Sequence, residues 1–595
     1  MAYGTLILIL TLAAALHLLR VARRQKSRFR VEAIAWPVTV ASLSILTLEA
    51  CASLRQPAFV LPAAATGITV LSLSATFDLL CRHYFAASPL KVYRHLPVSG
   101  FGAGTRSMAR AYIAQLLPVG FLASLAAMLG IVFAVIEWTG AGGMPSMLTA
   151  LGVCLLSLGI WSLLDRLRSP GLFSPIEQTF LRIEPTMRAT PLRAADRSGH
   201  FSLTGEPPAR PRTILLIVNE STSHDLPSSA DPDLRLHEKL RELSGTPEEW
   251  FVPSNAVTNS SCTDVSLPSL LTGTGSHESA DKLHRMPFLF DFARAQGYRT
   301  AFVTSTTLDW AYFDRFFAGA KIDELFCADT TESPIVNDIS IDDAEPIMRL
   351  AYLIEEAQEP LFAVLYTNAL HVPFQSESRI PIPPALKDRR SRALHIVEAG
   401  HKHIFDALRR SGRYDDALIL SVADHGERLE DPLSHKWIVP RLENYSEPIL
   451  RPLFMLKPPR DLPPAMLRAL HRNADALIAN IDIAPTLAHL LGVSLGEDLA
   501  YAGHSLFEEI PADRLAIATS TNAWRSWHRT GVALMRGRER LVCDSYGLCE
   551  YYRIDDIAES PGDASARERR DSMMMEAFGI PTLRENIARI YRKRI

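Results

Sequence analysis

The strongest constraint on this chain is where its apolar residues fall. Residues 3–19, 33–53, 58–81, 112–136 and 146–164 are almost entirely apolar, and each is near the ~20 residues that span a hydrocarbon core. Five such stretches within residues 1–164 predict a multi-pass α-helical membrane domain of five helices, and they leave the chemistry to the remainder of the chain. A cleaved signal peptide is the competing explanation of the first stretch. However, no charged segment precedes Tyr3, and the Arg-rich segment after Leu19 is unlike a cleavage site. Only Glu49 and Asp78 are acidic within the spans, fewer than the charged pathway of an ion-coupled transporter requires.

The loops between these spans are asymmetric. Arg20, Arg23, Arg24, Lys26, Arg28 and Arg30 follow the first, and Arg82, Lys91, Arg94, Arg106 and Arg110 follow the third, whereas the alternate loops hold only Arg55. Basic loops favour the cytoplasm, so charge alone places everything after the fifth span inside. The whole chain is nearly neutral, with 62 Lys+Arg against 65 Asp+Glu. That balance gives no global attraction to nucleic acid, and no nucleic-acid partner is expected.

Residues 165–211 are rich in Arg, Pro, Ser and Thr and form a connector. It either lies along the membrane through Phe173, Ile176, Phe180 and Leu181 or is simply solvated. From residue 212 the pattern changes to short aliphatic runs at 214–218, 300–304, 361–366, 417–422 and 452–456, separated by helical stretches. Continuous apolar runs alternating with helices predict an α/β domain whose mainly parallel central sheet is covered on both faces. We assign 212–562 to this domain and 563–595 to a C-terminal helical tail. There Met573–Met575 and the basic end at 589–594 offer either membrane contact or an ordinary solvated helix.

In open parallel sheets, sites gather where loops leave the carboxyl ends of strands. The run at 214–218 leads into Glu220, that at 361–366 into Asn368 and His371, and that at 417–422 into Asp424-His425-Gly426-Glu427. Carboxylates and imidazoles delivered to one edge suit a divalent ion, Zn first and Mn second. Taken alone, Asp-His-Gly is an ordinary turn; its convergence with the other two loops is what gives it weight. Between the first two runs lies Ser261-Cys262-Thr263-Asp264-Val265-Ser266, at the head of a predicted helix. There a hydroxyl would meet backbone N–H groups and the positive end of the dipole, or would act only as an N-cap.

At this point the sequence resembles the sulfatase branch of the alkaline-phosphatase superfamily. The marks are Glu220, Thr263 ten residues before Gly273 of Leu-Leu-Thr-Gly, His371-Val372-Pro373, and Asp424-His425-Gly426-Glu427. Asp482-Ile483-Ala484-Pro485-Thr486-Leu487 and Gly503-His504-Ser505-Leu506 come next in the family's order. Sulfatases generate their nucleophile from Cys in Cys-x-Pro-x-Arg. Here Cys262 is followed by Thr-Asp-Val-Ser, and Thr263 stands in a setting similar to that of membrane-anchored phosphoethanolamine transferases. Those proteins and the related lipoteichoic-acid (phosphoglycerol) synthases carry five membrane helices before an alkaline-phosphatase-like catalytic domain.

The resemblance implies phosphoryl-group transfer in two displacements. Thr263 attacks a phospholipid donor, and the resulting phospho-threonine passes its head group to a lipid or glycan acceptor. Glu220, Thr263, Asp424 and His425 would form the metal shell, while His371 and His435 would bind phosphate oxygens, hold a second metal or move protons. Trp310, with Tyr312 and Arg315, is a candidate for a head-group pocket, although aromatic residues in such a segment commonly serve as packing. The resemblance also implies a bacterial-type inner membrane with the catalytic domain outside, against the loop charges. Cys543 and Cys549, flanking Asp-Ser-Tyr-Gly-Leu, would form a hairpin disulfide in an oxidising compartment.

The Cys-Lys element and dense cysteine pattern of the ethanolamine-transferring relatives are missing, so the head group stays open. A membrane-anchored sulfatase-like phosphodiesterase and a non-catalytic membrane scaffold are the alternatives. His401 and His403, two apart on a predicted helix, diverge and should not share a metal.

Overall fold

A computed structural model describes residues 195, 197–427, 445, 447–519, 531–543, 549–554, 564–584 and 587–588. The five apolar stretches, most of the connector and His435 lie outside these residues. Among the described residues no helix is long and apolar enough to cross a membrane.

The central sheet is built from the aliphatic runs. Its strands are β1 (Thr213–Asn219), β2 (Arg299–Thr304), β3 (Glu324–Phe326), β4 (Leu361–Thr367), β5 (Ala417–Val422) and β6 (Phe454–Lys457). They lie in the order β3-β2-β4-β1-β5-β6, parallel except for β6, which runs antiparallel to β5. The sheet is therefore mixed, with one reversed edge. β1 sits between β4 and β5, and each of its seven residues is buried, as expected of a strand covered on both faces.

Alternation along β1 divides the core. Ile214, Leu216 and Val218 face a cluster with helices α2 (Thr263–Thr272), α3 (Leu289–Ala295) and α6 (Ile483–Leu490), through Leu267, Leu270, Phe290, Phe292 and Leu487. Leu215 and Ile217 face helices α1 (Leu236–Ser244), α4 (Ala344–Glu356) and α5 (Arg389–Arg410), through Leu240, Leu350, Ile354, Ile404 and Leu408. The period of two along the strand thus sends its side chains into two helical layers.

A second sheet was not legible as such in the sequence. Strands β7 (Ala516–Thr519), β8 (Val532–Arg536), β9 (Glu539–Cys543) and β10 (Cys549–Arg553) form an antiparallel meander. Helix α7 (Ala564–Gly579) buries Met573, Met574 and Ala577 against its Leu534 and Leu541, whereas Met575 is exposed. Two of the three methionines therefore pack on protein. The expected disulfide joins Cys543 to Cys549 at the β9–β10 hairpin. The connector is also docked at its end. Arg197 is buried, donates to the carbonyls of Leu283 and Met286, and lies 4.1 Å over the Phe288 ring.

Candidate active site

Strand register explains how distant carboxylates meet. Val218 of β1 pairs with Val422 of β5, so Glu220 and Asp424, each two residues further on, emerge side by side. Asn219 pairs with Thr367 of β4, which brings Asn368 and the loop to His371 alongside Glu220 on its other flank. The three loops converge because their strands are adjacent.

Glu220, Asp424 and His425 are buried and offer one ligand atom each, all within 4.8 Å of one another. Thr263, the first residue of α2, has its Oγ1 at 3.1 and 3.0 Å from the two Glu220 oxygens and 3.2 Å from His425 Nε2. The Ser221 backbone N–H donates to Asp424 Oδ1 at 3.2 Å, and His425 Nδ1 is 2.9 Å from the Gly426 carbonyl. That contact makes Nδ1 the protonated nitrogen and turns Nε2 toward the carboxylates. The Asp424 carbonyl is held by the Thr258 hydroxyl and the Asn480 amide at 2.6 and 3.0 Å.

Burial pushes the Glu220 carboxyl above the usual carboxylate range, and the adjacent Asp424 adds to the shift. Asp424 is also raised by burial, against hydrogen bonds that favour its charged form. Two buried carboxylates facing each other are relieved either by a shared proton or by a compensating cation. The donor set, two carboxylates with an imidazole and a hydroxyl, fits a divalent ion.

Two glycines make this arrangement sterically feasible. A Cβ on Gly426 would lie 1.9 Å from the Pro448 carbonyl oxygen and 2.9 Å from Ser223 Oγ. Gly273, which ends α2 at φ +72°, leaves only 2.5 Å between an added Cβ and the Tyr501 ring. The glycines of Asp-His-Gly and Leu-Leu-Thr-Gly are close-approach positions.

His371 stands at the edge of this group, with Nε2 4.0 Å from Glu220 Oε1 and Nδ1 2.7 Å from Asp338 Oδ2. Burial alone would raise the Asp338 carboxyl, but the adjacent His371 brings it below its ordinary value. Trp310 is half-buried and packs edge-on against Phe313 at 5.7 Å, beside the core. His401 is buried, with its ring against Ser421 Oγ and the Val397 carbonyl, while His403 is exposed. The two diverge as their spacing predicts. Sequence reasoning missed Tyr366, whose hydroxyl lies 2.5 Å from Glu220 Oε2, and Asp338. Tyr366 ends an apolar run and reads as packing; Asp338 sits in a loop without periodicity.

Residues 212–493 match the family model described as Sulfatase. A curated relative, the uncharacterized sulfatase YdeN of Escherichia coli (strain K12), is 25% identical over 181 residues, covering 28% of this chain and 31% of that protein. Less than a third of that relative is therefore matched. Among solved structures, the lipoteichoic acid synthase LtaP of Listeria monocytogenes is similar with a TM-score of 0.47 at 16% identity, over 66% of this chain and 96% of that one. The C-terminal periplasmic domain of EptC from Escherichia coli, solved in complex with Zn, has a TM-score of 0.41 at 17% identity, over 56% and 93% of the two chains.

Proposed function

We propose that this protein is a membrane-anchored, metal-dependent phosphotransferase. It would move a phospholipid head-group phosphate, of phosphoethanolamine or phosphoglycerol type, onto a hydroxyl of a lipid or glycan acceptor through a phospho-threonine intermediate. The observation that carries this reading is the position of the Thr263 hydroxyl, within 3.2 Å of both Glu220 oxygens and of His425 Nε2. A threonine placed only to cap a helix has no need of such surroundings.

A divalent cation, Zn first and Mn second, would be held by Glu220, Asp424, His425 and Thr263, where it would lower the pKa of the threonine hydroxyl and offset phosphate charge. Thr263 Oγ1 attacks phosphorus, the bond to the diacylglycerol oxygen breaks, and the proton lost by Thr263 ends on the released diacylglycerol. The acceptor hydroxyl then attacks the same phosphorus, the Thr263–phosphate bond breaks, and the acceptor proton returns to Thr263. His371 faces the centre through Nε2 and is suited to bind a phosphate oxygen or carry these protons. We assign His435 to the same work and Trp310 to the head-group side from the sequence pattern.

The apolar stretches within residues 1–164 support anchorage in a bacterial-type inner membrane. The Cys543–Cys549 disulfide favours an external, oxidising face for the catalytic domain. Reporter fusions after Pro211 that work only in the cytoplasm would reverse that placement.

The test is intact mass of wild type and Thr263→Ala after incubation with a mixed phospholipid extract. A gain of one head-group phosphate on wild type alone is expected, its size naming the group. Release of free head-group phosphate at the full rate without acceptor would replace the transferase by a hydrolase.

A further inference from the structure

We infer that Asp338 is the positioning residue for His371: it holds the ring through Nδ1 so that Nε2 faces the Glu220–Thr263–His425 centre. This rests on the proposed function, in which His371 works on the phosphate.

Asp338 lies in the loop between β3 and α4 and has no exposed surface. A fully buried carboxylate is retained only where both oxygens are engaged. Here Oδ1 accepts from the Asn368 side-chain amide at 2.8 Å, while Oδ2 meets His371 Nδ1 at 2.7 Å as a charge contact that is close but not aligned as a hydrogen bond. The same loop grips the end of β4 at further points. Asn337 Nδ2 donates to the carbonyls of Asn368 and His371 at 3.0 and 3.1 Å, and Asn368 Nδ2 also reaches Ser340 Oγ at 3.1 Å. The His371 N–H donates to the Asn368 carbonyl at 3.0 Å. Backbone and ring of His371 are therefore both fixed from the Asn337–Ser340 loop.

The chemical consequence lies in which groups can donate. A carboxylate offers only acceptors, so the proton of a neutral His371 is drawn to Nδ1 and Nε2 is left with its lone pair toward the centre. Asparagine has nearly the same shape but can present an N–H₂ to Nδ1, which favours the proton on Nε2 and the wrong tautomer. Carboxylates that orient an imidazole in this way contribute about 10–100-fold to the function of the ring.

The experiment is a double-mutant cycle on the full-chain, zinc-loaded protein in phosphatidylethanolamine/phosphatidylglycerol vesicles, following released diacylglycerol. Asp338→Asn should lower kcat about 10–100-fold with KM within about twofold and bound zinc unchanged. In a His371→Ala background the same change should cost nothing further. Multiplicative losses, or wild-type kcat in Asp338→Asn, would overturn the inference. If Asp338→Asn does not fold, Asn368→Ala removes the Oδ1 contact; its smaller loss should likewise vanish with His371→Ala, and persistence there would overturn the inference. Thr263→Ala run in parallel separates the two claims. Turnover retained in that variant sinks the phospho-threonine reading, while the Asp338–His371 coupling is still decided by the cycle.

Discussion

The phenolic hydroxyl of Tyr366 lies 2.5 Å from Oε2 of Glu220, and both residues are buried. Strand β4 thus contributes a hydroxyl to a carboxylate carried by β1, and burial with the adjacent Glu220 holds the phenol well above its ordinary pKa, so it stays a donor. Tyr366→Phe removes this donor and leaves Oε2 with the Thr263 contact. Metal affinity should fall about 10–100-fold, with a stability loss of about 1–3 kcal/mol. Zinc titration and thermal melting of the variant check both.

Thr263→Ala should abolish turnover and the mass adduct without unfolding the protein, because the side chain is small and contributes little to the core. Thr263→Ser keeps the hydroxyl and should keep measurable activity. Turnover in a metal-replete Thr263→Ala protein would remove the nucleophile assignment.

Asp424→Asn replaces a charged ligand by a neutral amide, and bound metal should be lost together with activity. Wild-type protein should melt at a lower temperature in chelator and regain its melting point on adding zinc. The variant should show no such response. A chelator-insensitive wild type would count against the site.

Gly426→Ala tests close approach. The added Cβ would meet the Pro448 carbonyl, so the loop carrying Asp424 and His425 must move. A cost of about 1–3 kcal/mol is expected from overpacking, with a larger fractional loss of activity than of stability. Activity assays beside denaturant melts would show it.

The acid limb of stability should report His401. Burial pushes its pKa down to about 4, below the ~6.5 of an unfolded histidine. Stability is therefore fully present above pH ~6.5 and is lost as pH falls toward 4, by on the order of 3 kcal/mol. His224 and His237, held near 3 and 4 by burial, act in the same direction. His401→Gln should flatten part of this slope in melts between pH 7 and 4; an unchanged slope would mean the ring is protonated in the fold.

The strands were legible because burial on both faces leaves unbroken aliphatic runs, and the runs at 214–218, 300–304, 361–366 and 417–422 fall within β1, β2, β4 and β5. The last run, 452–456, is shifted against Phe454–Lys457, and its reversal in the sheet left no mark in its composition. That Glu220, Asp424 and His425 come together was legible because strand ends fix where such residues emerge, and Thr263 joins them from the first turn of α2. Asp338 and Tyr366 were not legible. One acts across a loop-to-loop contact 33 residues distant from His371, and the other has a ring that packs like any aromatic while only its oxygen reaches the site.

The pairing of Val218 with Val422 has a consequence for assembly of the fold. A slip of one residue between β1 and β5 would shift the ladder by about 3.3 Å and turn one carboxylate to the opposite face of the sheet. Only the native alignment presents Glu220 and Asp424 level and on the same side. An ion captured by the pair would therefore favour correctly zipped chains and leave shifted ones without its support.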